Sequence, residues 1–281
     1  MSASKTPEIR KVPAMRGLAW VSGSWHLFKR QPLRLLLVSL FFQFFLSFSQ
    51  ATALGLLVIL CLPVLSAGML HAFFLVERGE KPILAVLFMP FIARKGVGQL
   101  LLLGGVVMVL GLLVVSLVLA GQLVGIDPEI LSRIEQGDIE ALQLIDPQIM
   151  QSAVLAMAIG AAVSGSITYF SVPLIWFRQQ GMGGAVITGL KALVRNWRPL
   201  LLIGVLLGLL AVPVILLFGS FYISAMGNET ASSLLAFLLL VLGPMFQLLL
   251  FGTQYLAFRD IFGLDETTNG IAKKADDQLI A

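Results

Sequence analysis

Residues 33–76 read LRLLLVSLFFQFFLSFSQATALGLLVILCLPVLSAGMLHAFFLV, a run of 44 residues without one acidic side chain. As a single helix it would be about 66 Å long, against a hydrocarbon core of about 30 Å. The run must therefore fold back. Ser47, Ser49, Gln50 and Thr52 interrupt it, and this polar patch predicts the turn. Two spans follow, about 33–49 and 51–76. Four more apolar blocks, at about 100–124, 152–177, 200–222 and 232–258, bring the total to six.

Composition points the same way. The chain is 58% hydrophobic and 12% charged, where soluble domains carry about 25% charged residues. Its mean hydropathy is +0.96, so lipid must be the solvent for most of it. The net charge of +4 does not mark a nucleic-acid binder, because the basic residues sit at the ends of apolar runs. Cys61 is the single cysteine, which excludes an internal disulfide and a cysteine metal cluster; it reads as a small hydrophobe.

The basic residues also orient the spans. All but Arg133 of the 19 lysines and arginines fall before or at the start of span one (Arg34), after spans two and four, or after span six. By the positive-inside bias, both termini and those loops are expected in the cytoplasm. A cleaved signal peptide over the first run is a competing reading, but its n-region is long and Ser47-Phe48-Ser49 is a mediocre cleavage site. The basic, Ser-containing N-terminus is also compatible with an organellar transit peptide. The outer loop 126–150 carries Asp127, Glu129, Glu135, Asp138, Glu140 and Asp146 against Arg133. It reads as a solvated acidic face, or as a cation- or partner-docking surface. Asp127-Pro128 and Asp146-Pro147 each read as a helix N-cap followed by proline.

The expected fold is all-α, with three hairpins, each preceded by a cytoplasmic interfacial helix. Residues 1–13 form an N-terminal tail, 14–262 the membrane domain and 263–281 a flexible C-terminal tail. Over Ala14–Arg30, Leu18, Val21, Trp25 and Phe28 form an apolar stripe opposite Arg16, Ser22, His26, Lys29 and Arg30. Pro32 then turns the chain into the membrane. Val186, Leu190, Leu193 and Trp197 repeat the stripe before Pro199, with Gly181–Gly184 as the flexible link before it. Ile83–Lys95 is the third such segment, more uniformly apolar. Pro63 and Pro244 each precede an arginine, Arg78 and Arg259, by the same spacing. An internal repeat is expected.

Charge inside a span is costly and marks function. Every acidic residue is assigned to a loop or tail, which argues against proton relays and carboxylate catalysis. The polar candidates within spans are Gln43, His71, Tyr169, Gln247 and Gln254, read first as interhelical contacts. Trp20, Trp25, Trp176 and Trp197 read as interfacial anchors. Gly204 and Gly208 form a GxxxG pair, and Ala156, Gly160 and Ser164 a small-residue stripe. No nucleotide loop, zincin motif or nucleophile elbow is present, and no cofactor or metal is expected.

Gly17-Leu18-Ala19-Trp20, Trp25-His26-Leu27-Phe28-Lys29-Arg30-Gln31-Pro32, Leu65-Ser66-Ala67-Gly68-Met69 and Arg78-Gly79-Glu80-Lys81-Pro82 carry a resemblance. Over about residues 10–265 the chain resembles a family of uncharacterised proteobacterial multi-span inner-membrane proteins. More remotely it is similar to the membrane domain attached to some bacterial glycerophosphoryl diester phosphodiesterases. The resemblance implies an inner-membrane location. The soluble barrel with its catalytic acids and histidines has no counterpart in these residues, so no hydrolase role is implied.

The expectation is a non-catalytic inner-membrane protein, an accessory in envelope or lipid homeostasis. Its partners would be membrane lipids, another membrane protein or a second copy, and not nucleic acid. The alternative is a transporter or channel for a small neutral or amphipathic solute; a membrane enzyme ranks third. Reporter fusions at Gly79, Gly181 and the C-terminus should report cytoplasm, and those at Gly137 and Asn228 the outside. A cytoplasmic reporter at Gly137 would sink the six-span topology.

Overall fold

Long apolar stretches with few helix-breaking residues form helices in lipid, because a helix satisfies its own backbone polar groups. The computed structural model describes residues 8–51, 55–119, 128–135, 144, 146–225 and 229–264, and no strand occurs among them. The helices are α1 (Arg16–Arg30), α2 (Pro32–Ala51), α3 (Gly55–Glu77), α4 (Met89–Ala93), α5 (Val97–Leu119), α6 (Pro128–Glu135), α7 (Pro147–Arg178), α8 (Met182–Arg195), α9 (Trp197–Ala225) and α10 (Glu229–Phe262). A 3-10 turn, Leu84–Phe88, leads into α4. Stretches of α3, α5, α7, α9 and α10 are long and apolar enough to cross a membrane, which defines a multi-pass helical membrane protein. The apolar part of α2, Pro32–Ser47, is shorter.

Several boundaries differ from the sequence reading. The expected turn at Ser47–Thr52 is helical as far as Ala51, and residues 52–54 lie outside the description. Serine can stay in a helix by bonding to the backbone, so polarity alone did not place the break. The expected link Gly181–Gly184 is shorter: α8 starts at Met182, and Gly183 and Gly184 lie within its first turn. Ile83–Lys95 is a 3-10 turn and one short helix rather than a single amphipathic helix, with Arg94 left-handed at the end of α4. The Asp146 cap is as read: its carboxylate accepts the Gln148 N–H at 2.8 Å. Asp127 lies outside the described residues.

The N-terminal segment is not a free tail throughout. Asn196, buried between α8 and α9, accepts the Val12 N–H at 3.0 Å and donates to the Arg10 carbonyl at 3.1 Å. The Arg10 N–H donates to the Ile261 carbonyl at 2.9 Å. Residues 10–12 are thereby clipped to the ends of α8 and α10. Of the C-terminal tail only residues 263 and 264 are described.

The chain divides into two compact units. The first comprises residues 1–104 and 169–281, the second 105–168. In the second, α5 and α7 approach along small residues: a Cβ on Gly160 would lie 4.0 Å from the Gly111 carbonyl oxygen, and one on Gly111 4.0 Å from Ser164 Oγ. That is the use of the Gly160–Ser164 stripe.

In the first unit the long helices α3, α7 and α10 each meet a short element at a glycine. On Gly68 of α3, a Cβ would meet the Leu87 carbonyl oxygen at 2.5 Å. On Gly189 of α8 it would meet Phe170 of α7 at 3.3 Å, and on Gly252 of α10 it would meet Ser24 Oγ of α1 at 2.1 Å. Gly204 and Gly208 do not work this way; a Cβ on either meets nothing within 4 Å. The GxxxG pattern there marks no contact within the described chain.

These approaches explain how α1 and α8 pack. The buried residues of α1 are Gly17, Trp20, Ser24 and Leu27, and those of α8 are Ala185, Thr188, Gly189 and Ala192. The stripes expected from hydropathy lie elsewhere: Leu18 and Trp25 of α1, and Leu190 of α8 with Trp197, are exposed. Lipid tails are as apolar as leucine, so sequestering a leucine gains little and close packing decides the inner face.

Replacing Gly252 by valine should destabilise the protein by roughly 1–3 kcal/mol through overpacking. Gly204→Val should leave the detergent melting temperature unchanged. Equal losses in the two variants would show that the Gly252 contact does not set the packing.

Candidate functional site

The C-terminal ends of α3, α7 and α10 converge on a cluster of rings. The His71 ring centroid lies 5.6 Å from Phe74 and 5.6 Å from Trp176. Phe177 lies 5.7 Å from both Phe74 and Phe258. Such pairs contribute about 0.5–1.5 kcal/mol each beyond their burial, and here they join three helices where the chain passes from apolar to charged sequence.

Beyond the rings sits a network of charges. The Glu77 carboxylate accepts from the Tyr255 hydroxyl and from the Arg259 guanidinium. Asp260 accepts the Trp20 indole N–H at 2.8 Å and pairs with Arg16 at 2.7 Å and Arg259 at 3.5 Å. Arg30 Nη1 donates to the Glu77 carbonyl at 3.3 Å. Arg178 donates to the Phe262 and Gly263 carbonyls at 2.6 and 3.0 Å. It thus places a cation on the negative end of α10.

Glu77 and Asp260 were assigned to a loop and a tail by sequence. They stand instead on the last turns of α3 and α10. Sequence did carry a signal for them: Glu77-Arg78 and Arg259-Asp260 are adjacent acid–base pairs, each closing an apolar run. The pairing partners come from residues about 180 positions apart, which no local pattern reveals.

The sequence candidates separate by position. Gln254 donates to the Tyr169 carbonyl at 2.7 Å. That carbonyl lies four residues before Pro173, so the proline has removed its helical N–H partner. Gln254 therefore repairs a backbone defect of the neighbouring helix. Gln247 accepts from Ser39 Oγ at 2.7 Å, with the Pro244 carbonyl 3.1 Å from the same hydroxyl. Among the described residues, both His71 ring nitrogens and the Tyr169 hydroxyl are buried without a hydrogen-bond partner. Cys61 is a half-buried free thiol. Trp20 and Trp176 are 2% and 3% exposed and face other side chains, whereas Trp25 and Trp197 are 39% and 55% exposed. Only the latter pair presents its rings outward.

Gln43 lines a cavity of about 480 Å³ between α2, α9 and α10, with Leu40, Ser47, Val214, Gly243 and Pro244. Ligand sites fall in this range, about 300–1,000 Å³. Leu240, whose carbonyl loses its helical N–H partner at Pro244, lines the same cavity. A second cavity, about 210 Å³, opens beside the charged network between α1, α3 and α10. Among the described residues no three His, Cys, Asp or Glu side chains are grouped to hold a metal ion. No protein-family model, curated protein or solved structure matches the chain.

The Gln254 bond has a sharp test. Gln254→Leu should cost about 1 kcal/mol, between the ~0.6 typical of interhelical bonds in membranes and the ~1–3 of a buried group left unsatisfied. In a Pro173→Ala background, where residue 173 regains an N–H for the Tyr169 carbonyl, the cost should fall by more than half. Equal costs in both backgrounds, measured by unfolding in detergent, would refute this role.

Proposed function

We propose that the protein is a non-catalytic integral inner-membrane protein that serves as an accessory in envelope or lipid homeostasis. The observation that carries this reading is how its intramembrane polar groups are used. Gln254, Gln247 and Ser39 join one helix to another. Ser24, also buried, donates to the Leu249 carbonyl at 3.2 Å. The carboxylates near the helix ends are held by guanidinium, indole and phenol donors. Such groups stiffen a scaffold rather than line a path for ions.

The proposal includes six spans, with α2 as the sixth, and both termini in the cytoplasm. The basic split of the sequence supports that orientation. It also includes three copies of a short helical segment followed by two spans; the contacts at Gly68 and Gly189 between neighbouring copies, and at Gly252 between the third copy and the first, support it. The exposed Trp25 and Trp197 support interfacial placement of α1 and α8. The family resemblance and the bacterial inner-membrane location are part of the same proposal. Partners are membrane lipids, with another membrane protein or a second copy.

One observation favours the second reading, a transporter or channel for a small neutral or amphipathic solute: the cavity on Gln43. Flux into proteoliposomes separates the two. Under the accessory reading, uptake of neutral solutes equals that of protein-free vesicles, and His71→Phe keeps wild-type expression and phenotype from mildly acidic to neutral pH. Solute uptake that is abolished by Gln43→Leu would make the transporter reading the better one.

A further inference from the structure

We infer that the cavity between α1, α3 and α10 binds a phosphate-bearing ligand. The inference rests on the proposed placement of α1 at the membrane surface and adds a ligand to the accessory reading.

One wall is a single stripe of α1. Arg16, Ala19, Gly23, His26 and Arg30 follow one another at spacings of three and four, which sets them on one helix face. The two small residues leave room in the middle of the stripe, and the cationic or imidazole side chains stand around that room. Glu77, Arg259 and Asp260 form the opposite wall. Both carboxylates already accept from Arg259, Tyr255, Arg16 and Trp20. They hold two of the guanidinium groups in fixed orientation. The lining carries three arginines against two carboxylates, before His26 is counted.

A guanidinium presents several N–H donors in a planar fork that matches phosphate oxygens. Arg30 uses one of its nitrogens on the Glu77 carbonyl at 3.3 Å, and its side chain is otherwise turned to the exposed surface of α1. His26 is exposed on the same face. A volume of about 210 Å³ admits a phosphate with a short polar substituent rather than a nucleotide. The exposed Leu18 and Trp25 belong to the face of α1 opposite Arg16, His26 and Arg30, so what the cavity itself recognises is the phosphate and not an acyl chain. Phosphate is thus the shared chemistry of a phospholipid headgroup and of a small soluble phosphate ester.

The test uses the full chain in mild detergent, with native mass spectrometry reading retained ligand. The probes are phosphatidylglycerol, diacylglycerol with the same chains, and glycerol phosphate as competitor. Phosphatidylglycerol should be retained over diacylglycerol, and His26→Gln with Arg30→Gln should reduce that retention by at least about fivefold, the scale of one basic residue at an anionic membrane surface. Ala19→Leu, which fills the cavity without altering charge, should reduce it as well. Arg195→Gln, which removes an exposed cation outside the cavity, should not. Displacement of the lipid by millimolar glycerol phosphate would assign the site to a soluble ester; resistance to it would assign the site to the headgroup. Equal retention of diacylglycerol, or full retention by both cavity variants, would overturn the inference. If in that case neutral-solute uptake into proteoliposomes still equalled that of protein-free vesicles, the site would fall while the accessory reading stood.

Discussion

A backbone carbonyl left bare in hydrocarbon costs several kcal/mol, and four of the long helices contain a proline that frees one. Pro63, Pro173, Pro213 and Pro244 stand inside α3, α7, α9 and α10. The responses seen around them organise the membrane interior. Gln254 reaches from α10 to the carbonyl that Pro173 frees on α7. Pro244 and Leu240, whose carbonyl it frees, both line the Gln43 cavity, while Ser39 and Gln247 tie α2 to α10 beside it. One proline thus fastens two helices, and another stands in the wall of a cavity between three.

The same solvent relaxes the rule for which side chains face inward. In water, leucine and tryptophan would be hidden and small or polar residues shown. Here α1 buries Gly17 and Ser24 beside Trp20 and Leu27, and leaves Leu18 and Trp25 outside. Gly68 lies so close to the Leu87 backbone, and Gly252 so close to the Ser24 and Phe73 side chains, that a methyl group would not fit. Dispersion over many close atom pairs then replaces the hydrophobic term that lipid does not supply. Charge is confined to the helix ends, where Glu77, Arg259, Asp260 and Arg16 satisfy one another and join α1 to the ends of α3 and α10.

This division of labour bears on function. Gln254, Gln247, Ser39 and Ser24 in the apolar middle are spent on helix contacts, and the charged network at the end borders a cavity with cations around a gap of small residues. A protein so built has its helices tied together in the apolar middle and its charged groups gathered around one cavity at the helix ends. That combination suits an accessory that organises lipid better than a carrier that must alternate between two packings.

The sequence by itself determined that this chain is helical and lives in lipid, because length and hydropathy answer to the thickness of a bilayer and to backbone hydrogen bonding, both local constraints. It also placed the Asp146 cap, whose bond reaches only two residues along the chain. It could not place the end of α2, since serine and glutamine are tolerated within a helix, nor the inner face of α1, since hydropathy does not rank packing surfaces in lipid. The charged network and the phosphate-sized cavity were decided by tertiary structure alone. Glu77 and Arg259 meet across 182 residues of chain, and only the packing of α1, α3 and α10 converts two unremarked acid–base pairs into one site.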